Sequence, residues 1–258
     1  GGTDFRPVFS YVDWLKEKKE SQNLKGLIYF TDGFGAFPAQ KPDYETAFVF
    51  VDDGSTDDSA EMLDAWEQKD HRLHVIHTAN HGVSAARNCG IDYALIQLKS
   101  RYIHFVDVDD ELDNDCYAEV VQLIENQENE PDIVVFGFKT LYHDKAGGVL
   151  RSVLRAPKAC EFLTRTDMID RYFEVYGRRS GIRNTVWCKL FRAALLLDLR
   201  FNETMKQAED LFFSIDAYCA ANSLLLIPKS YYSYHRYVQA KAYYDSDIQM
   251  AFDRNRYI

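Results

Sequence analysis

The sequence predicts an α/β fold: a mostly parallel central sheet flanked by helices on both faces, followed by an α+β region toward the carboxyl end. Two observations carry the first part. Short apolar runs alternate with amphipathic stretches from Ala47 to Phe136, and the runs stop abruptly in turn chemistry, as in FVFVDDGST, Phe48 to Thr56. A third observation marks the change of character, because the alternation breaks down from Lys139 onward.

Taken in order, Asp4 to Lys19 reads as a helix: Thr3 or Asp4 can cap it, Pro7 fits the first turn, and Val8, Val12 and Leu15 line one face with Phe5 and Phe9. Leu27 to Phe30 is a short strand ending at Thr31-Asp32-Gly33, and the Gly33 to Pro42 segment has too many breakers for a helix. The strand Ala47 to Val51 follows, then a helix near Ser59 to Gln68, a strand at Leu73 to Ile76, and a helix from Val83 to Leu98. A strand at Tyr102 to Val106, a helix at Cys116 to Glu125 and a strand at Asp132 to Phe136 complete the alternating part. Beyond it, Val149 to Leu154 reads as strand, with helices near Asp167 to Tyr176, Val186 to Leu195, Glu209 to Ala220 and, weakly amphipathic, Asp247 to Tyr257.

A chain of 258 residues that is 47% hydrophobic can bury a substantial core. Its net charge of -10 gives no general electrostatic reason to bind nucleic acid or anionic membrane, so a polyanionic partner needs a local basic patch. Five scattered cysteines without a CxxC pair indicate neither a disulfide framework nor a thiolate zinc site, and are expected to be reduced and mostly buried. The longest apolar runs fall far short of the ~20 residues of a membrane span. The expected location is the cytoplasm, with the inner face of the membrane as an alternative.

Several constellations could carry chemistry. In YIHFVDVDD, Tyr102 to Asp110, strand alternation puts Asp107 and Asp109 on one face, and two such carboxylates suit a hard divalent cation with positions left open for phosphate. An isolated DxD is also an ordinary acidic, helix-capping turn. In NHGVSAARNCG, Asn80 to Gly90, Arg87 could pair with a phosphate or with the DxD carboxylates, with Ser84 on the same side, or could be a plain surface arginine. In QAEDLFF, Gln207 to Phe213, the helix dipole alone explains Glu209 and Asp210, and a carboxylate held at a cleft could equally be a general base. His71, His74, His77 and His81 follow a three-residue spacing that fits neither a strand face nor a helical zinc motif. The string Tyr231 to Arg236 could stack a sugar or a base, though it reads first as an aromatic strand edge.

In order and spacing together, VDDGSTD, NHGVSAARNCG, FVDVDD, WCKLFR (Trp187 to Arg192) and AEDLFF (Ala208 to Phe213) resemble the family 2 glycosyltransferases of GT-A fold, from Phe48 to about Arg236. The resemblance implies sugar transfer from a nucleotide-diphosphate sugar, a UDP-sugar, to an acceptor hydroxyl of a saccharide or lipid-linked saccharide, with inversion and with a divalent metal, Mg or Mn. Asp52 and Asp53 would contact the nucleoside, with Asn80 beside them. Arg87 would lie near the diphosphate, Asp107 and Asp109 would hold ribose and metal, and Asp210, next to Glu209, would be the base. A nucleotide-sugar half would run to about residue 138 and an acceptor half over 139–258.

The front departs from that pattern, with neither a SIIIPVYN-like strand nor room for the helix that should follow it. Residues 1–50 look instead like the end of a bacterial von Willebrand A-like domain of the metallopeptidase-associated kind. In such a domain Thr3, of GGT, and Asp32, of FTDG, belong to a metal site whose DxSxS segment would lie upstream. On this reading Leu27 to Phe30 replaces the transferase's first strand. The alternative function is a chimeric, catalytically weak nucleotide- or metal-binding scaffold that lacks the usual nucleotide loop.

Overall fold

The computed structural model describes residues 27–31, 46–107, 109–113, 115–144, 147–176 and 185–237. The expected helices at Asp4 to Lys19 and Asp247 to Tyr257, and the Gly33 to Pro42 loop, lie outside these residues. Four parallel strands form one side of a mixed sheet: β1 (Leu27–Thr31), β2 (Phe48–Asp53), β3 (Leu73–Thr78) and β4 (Tyr102–Asp107), in the order β3-β2-β1-β4. Thus β1 sits between β2 and β4, pairing in parallel with both.

Beyond β4 the sheet turns mixed. Strand β9 (Lys189–Arg192) runs antiparallel to both β4 and β6 (Ile133–His143) and joins the two halves. β10 (Ser223–Tyr237) lies parallel to β6 along most of its length. The short β5 (Glu111–Leu112) and β8 (Glu161–Thr164) pair antiparallel with the far side of β10, and β7 (Val149–Arg155) pairs antiparallel with β6.

The strands are buried on both sides because their apolar runs alternate between two cores. Phe48 and Phe50 of β2 face one cluster, with Leu63 of helix α1 (Ser59–Glu67) and Val120 and Ile124 of α3 (Cys116–Glu125). Val49 and Val51 face the other, with Ile91 and Ala94 of α2 (Val83–Ile96) and Phe213 and Ala217 of α6 (Glu209–Ala220). The predicted helix near Asp167 to Tyr176 is two short ones, α4 (Arg165–Asp170) and α5 (Tyr172–Tyr176), the first opened by a capping box between Thr164 and Asp167.

The helix expected over Val186 to Leu195 is corrected to β9 followed by a 3-10 turn, Ala193–Leu196. Lys189, Leu190 and Phe191 fill the gap between the facing edges of β4 and β6, so ladder bonds available only in the assembled sheet override the local pattern. The aromatic string is a sheet edge only in part: Tyr231 and Tyr232 are wholly buried, with Tyr232 between β6 and β5, whereas Tyr234 to Arg236 pair with β6 alone among the described strands. Of the cysteines, Cys116 and Cys188 are buried, Cys89 is half-buried, and Cys160 and Cys219 are exposed, so fewer are buried than expected. No helix among the described residues is long and apolar enough to cross a membrane.

Candidate active site

The carboxyl ends of β2 and β4 carry the acidic clusters, the place where parallel α/β sheets present ligand sites. At the end of β2, Asp52 is buried; it accepts from the Ser55 backbone N–H at 2.9 Å and contacts His77 Nδ1 at 2.8 Å. Burial pushes its carboxyl up, but the bonds from Ser55 and His77 outweigh that and hold it below its ordinary range. Asp53 accepts from the backbone N–H groups of His81 (2.8 Å) and Gly82 (2.7 Å) and so pins the loop that opens α2.

Gly54 has φ +77°, and a Cβ there would lie 2.8 Å from the Asn80 backbone nitrogen. Both the left-handed backbone and this close approach require glycine. Gly54→Ala is expected to cost about 2 kcal/mol in urea unfolding, with Asp53 losing its grip on the 80–82 loop. A cost near zero would show that the turn and loop are not coupled in this way.

At the end of β4 lies Arg87, projecting from α2 and almost wholly buried. Its guanidinium donates to Glu209 Oε1 at 3.2 Å, to Asp210 Oδ1, and to Asp107 Oδ1 at 3.3 Å. It also packs over the Phe201 ring at 5.2 Å. Arg87 thus pairs with Asp107 of the DxD. The two glutamyl and aspartyl groups of α6 gain a second support from the helix N-terminus, which is entered through Ala208 in the left-handed conformation, φ 62°.

The expectation that Asp107 and Asp109 share a strand face is corrected. β4 ends at Asp107, and Asp109 lies beyond it in an exposed turn, so strand alternation does not relate the two. The turn is fixed by the next residue, which the sequence reasoning passed over. Buried Asp110 accepts from the Tyr232 hydroxyl at 2.8 Å and from the His235 backbone N–H at 2.9 Å, while the same hydroxyl accepts from the Asp107 N–H at 3.1 Å. Burial, with Asp107 and Asp109 close by, pushes the Asp110 carboxyl up to about 9. The available signal was the third acid in DVDD, a carboxylate too many for a simple turn.

Asp107, Glu209, Asp210 and Arg87 line one wall of an open cleft of about 540 Å³. The Asp210 side chain keeps 21% of its surface exposed. Burial pushes its carboxyl up to about 6; Arg87 opposes this, while Asp107 and Glu209 add to it. Behind it, the ammonium of wholly buried Lys189 donates to the Thr185 carbonyl and lies near enough to be felt by Asp210. A lysine inside the apolar WCKLFR run was the cue to it. Buried His104, which burial holds neutral with a pKa of about 4, donates from Nε2 to the Trp187 carbonyl (2.8 Å) and accepts from the Tyr117 hydroxyl (2.7 Å), tying the Trp187 turn to β4.

The remaining histidines and Ser84 take other places. His77 bridges Asp52 and Asp64, His74 packs on Tyr93, and Ser84 is buried on α2. Among the described residues no three His, Cys, Asp or Glu side chains are grouped to hold a metal ion. Asp107 and Asp109 together offer two hard carboxylate donors, and that fits a small divalent ion taking its other ligands from phosphate and water.

Residues 38–188, more than half of the chain, match the family described as "Glycosyl transferase family 2". The chain belongs to glycosyl transferase family 2. This family 2 chain is 31% identical over 188 residues to the uncharacterized glycosyltransferase EpsJ of Bacillus subtilis, covering 72% of the chain and 51% of that relative. It is 29% identical over 186 residues to glycosyltransferase GlyA of Streptococcus pneumoniae, covering 72% and 26%. To the poly(ribitol-phosphate) beta-N-acetylglucosaminyltransferase TarS of Staphylococcus aureus it is 28% identical over 210 residues, covering 79% and 33%. The chain therefore spans about a quarter to a half of the length of these relatives.

Crystal structures of TarS residues 1–349 share the fold. The complex with UDP-GlcNAc superposes with a TM-score of 0.58 at 24% identity, covering 86% of this chain and 61% of that one. The complex with UDP gives 0.56 at 22% identity, covering 82% and 60%. The family match starts at residue 38, ahead of the boundary expected near residue 50.

Proposed function

We propose that this chain transfers a sugar from a UDP-sugar to an acceptor hydroxyl with inversion, Asp210 acting as general base. The observation that carries the reading is the meeting of Asp107, from β4, with Glu209 and Asp210, from α6, on the single buried guanidinium of Arg87 at the wall of one cleft. Chemistry assembled from chain segments this far apart is costly to maintain without a function, because three converging carboxylates repel.

In this reading the Asp210 carboxylate, ionised above about pH 6, takes the proton of the acceptor hydroxyl as its oxygen attacks the anomeric carbon. Arg87 fixes the orientation of that carboxylate, and Glu209 shares the same guanidinium. A single displacement with one base gives inversion. Asp52, Asp53 and Asn80 border the nucleoside, held together by the Asp53 bonds to the 81–82 backbone. Arg87 serves the diphosphate through Asp107, whose side chain it positions. A Mg or Mn ion held through Asp109 and Asp107, when bound, offsets charge on the departing diphosphate. The UDP complexes known for TarS support the choice of donor nucleotide. In this reading β1 stands where the family's first strand would, and its place between β2 and β4 supports this.

Isothermal titration with UDP tests the donor half. Binding is expected to strengthen at least tenfold with Mn²⁺, and Asp109→Ala is expected to remove that gain. UDP binding indifferent to Mn²⁺, or absent, would overturn the assignment, and binding without any turnover would favour the scaffold alternative.

A further inference from the structure

We propose that the outer floor of the cleft is an acceptor subsite for an anionic saccharide, one bearing a phosphate or carboxylate group, which Arg155 and Arg236 hold while Tyr234, backed by Trp187, lies against the sugar ring. The inference rests on the transferase reading in one respect, that the acceptor enters this cleft.

The floor is a patch of sheet, and its registers fix which side chains share a face. On one face of the β7-β6-β10 ribbon, Phe138 lies opposite Arg155 on one side and Tyr232 on the other; two residues along, Thr140 lies between Val153 and Tyr234; two further, Tyr142 lies between Arg151 and Arg236. Arg155, Phe138, Thr140, Tyr234, Tyr142 and Arg236 all line the cleft. Cations therefore stand at both ends of an otherwise uncharged strip, on the same face as the aromatic rings.

Charge divides the cleft in two. The inner end carries Asp107, Glu209 and Asp210, and Arg87 is committed to all three. Arg155 and Arg236 make no ion pair with a carboxylate among the described residues, although the chain as a whole is strongly acidic. Arg155 instead packs near the Phe138 ring, at 5.9 Å, and Arg151, on the same strand face beside the cleft, lies over Tyr142 at 4.2 Å. Guanidinium forks left with open donors suit phosphate and carboxylate oxygens, and do nothing specific for a neutral sugar.

The wall is aromatic and rigid. Trp187 stacks on Tyr232 (4.5 Å between centroids, 15° between planes) and on Tyr234 (5.5 Å, 19°), and its backbone is held by His104. Trp187 is itself buried and backs Tyr234, whose half-buried ring is the aromatic surface left open to the cleft. A saccharide lying along this wall would direct a hydroxyl toward Asp210 while its anionic group reaches the arginines.

Saturation-transfer NMR with methyl glucoside, methyl glucoside 6-phosphate and methyl glucuronide tests this, with UDP and Mn²⁺ titrated into the same samples. At least tenfold tighter binding is expected for one or both charged glycosides over the neutral one, weakening with added KCl. The pair of charged probes tells phosphate from carboxylate. The Arg155→Gln/Arg236→Gln double variant should lose the preference, and Arg155→Lys/Arg236→Lys should retain part of it; UDP affinity reports that each variant is folded. Equal binding of the three glycosides, no binding of the charged ones, or a preference that survives in the glutamine variant would each overturn the proposal. Loss of UDP binding with the charge preference intact would instead sink the donor assignment and leave this subsite standing.

Discussion

Asp210→Asn is expected to lower kcat by about a thousandfold while leaving UDP affinity within a factor of about two, the pattern of a lost general base. Asparagine keeps the shape and can still accept from Arg87, which retains Asp107 and Glu209 as ionic partners, so the fold should persist. The pH profile supplies an independent readout. With its carboxyl pushed up to about 6, Asp210 is protonated at lower pH, so wild-type kcat/KM should rise about tenfold per pH unit below 6 and level off above it. The variant's residual activity should lack that acid limb. Full activity in Asp210→Asn, or a flat wild-type profile between pH 5 and 7, would remove Asp210 from the role.

Arg87→Met should be the most damaging single change to the fold near the site, costing about 3–5 kcal/mol in urea unfolding at pH 7.5. Methionine can fill much of the space against Phe201, but it leaves Asp107, Glu209 and Asp210 facing one another without their common cation. The sign of the pH dependence follows from the raised carboxyl of Asp210. A group that binds its proton more tightly when folded contributes stability at low pH that is lost as pH rises through its folded pKa. Removing the guanidinium takes away the influence that lowers that pKa, so it should rise further and move the loss to higher pH. The penalty of Arg87→Met should therefore shrink between pH 7.5 and 5.5, as Asp210 takes up its proton. A penalty below 1 kcal/mol, or one that grows on acidification, would mean that the clamp is not what holds these carboxylates together.

The parts of the fold that could be read from the chain are those where one residue's burial follows from its neighbours. FVFVDD and YIHFVD are apolar enough to be covered on both faces, and Cys116–Glu125 carries its own apolar stripe. The KLFR segment could not be read this way, since four residues do not distinguish the two periodicities and the edges of β4 and β6 decided the matter. The site shows the same division. That Asp107, Arg87 and Asp210 are candidates for a site was legible from residue type and motif spacing, yet Asp109 could not be placed by alternation because the strand ends before it. Asp110 went unrecognised because its partners Tyr232 and His235 lie far along the chain, and Lys189 and the arginines of the cleft floor because the cleft they border is built from segments remote in sequence.

By itself, then, the sequence determined the alternating α/β plan and the acidic strand ends, and singled out Arg87, Asp107, Glu209 and Asp210 as candidates, since local hydrophobic pattern and motif order carry that information. Only the tertiary structure decided that one buried guanidinium ties three carboxylates together, that Tyr232 and Asp110 set the DxD turn, and that β6, β7 and β10 turn arginines and aromatic rings onto one cleft floor. Charge pairing, desolvation and strand register depend on distances between residues remote in the chain, and those distances exist only once the sheet has formed.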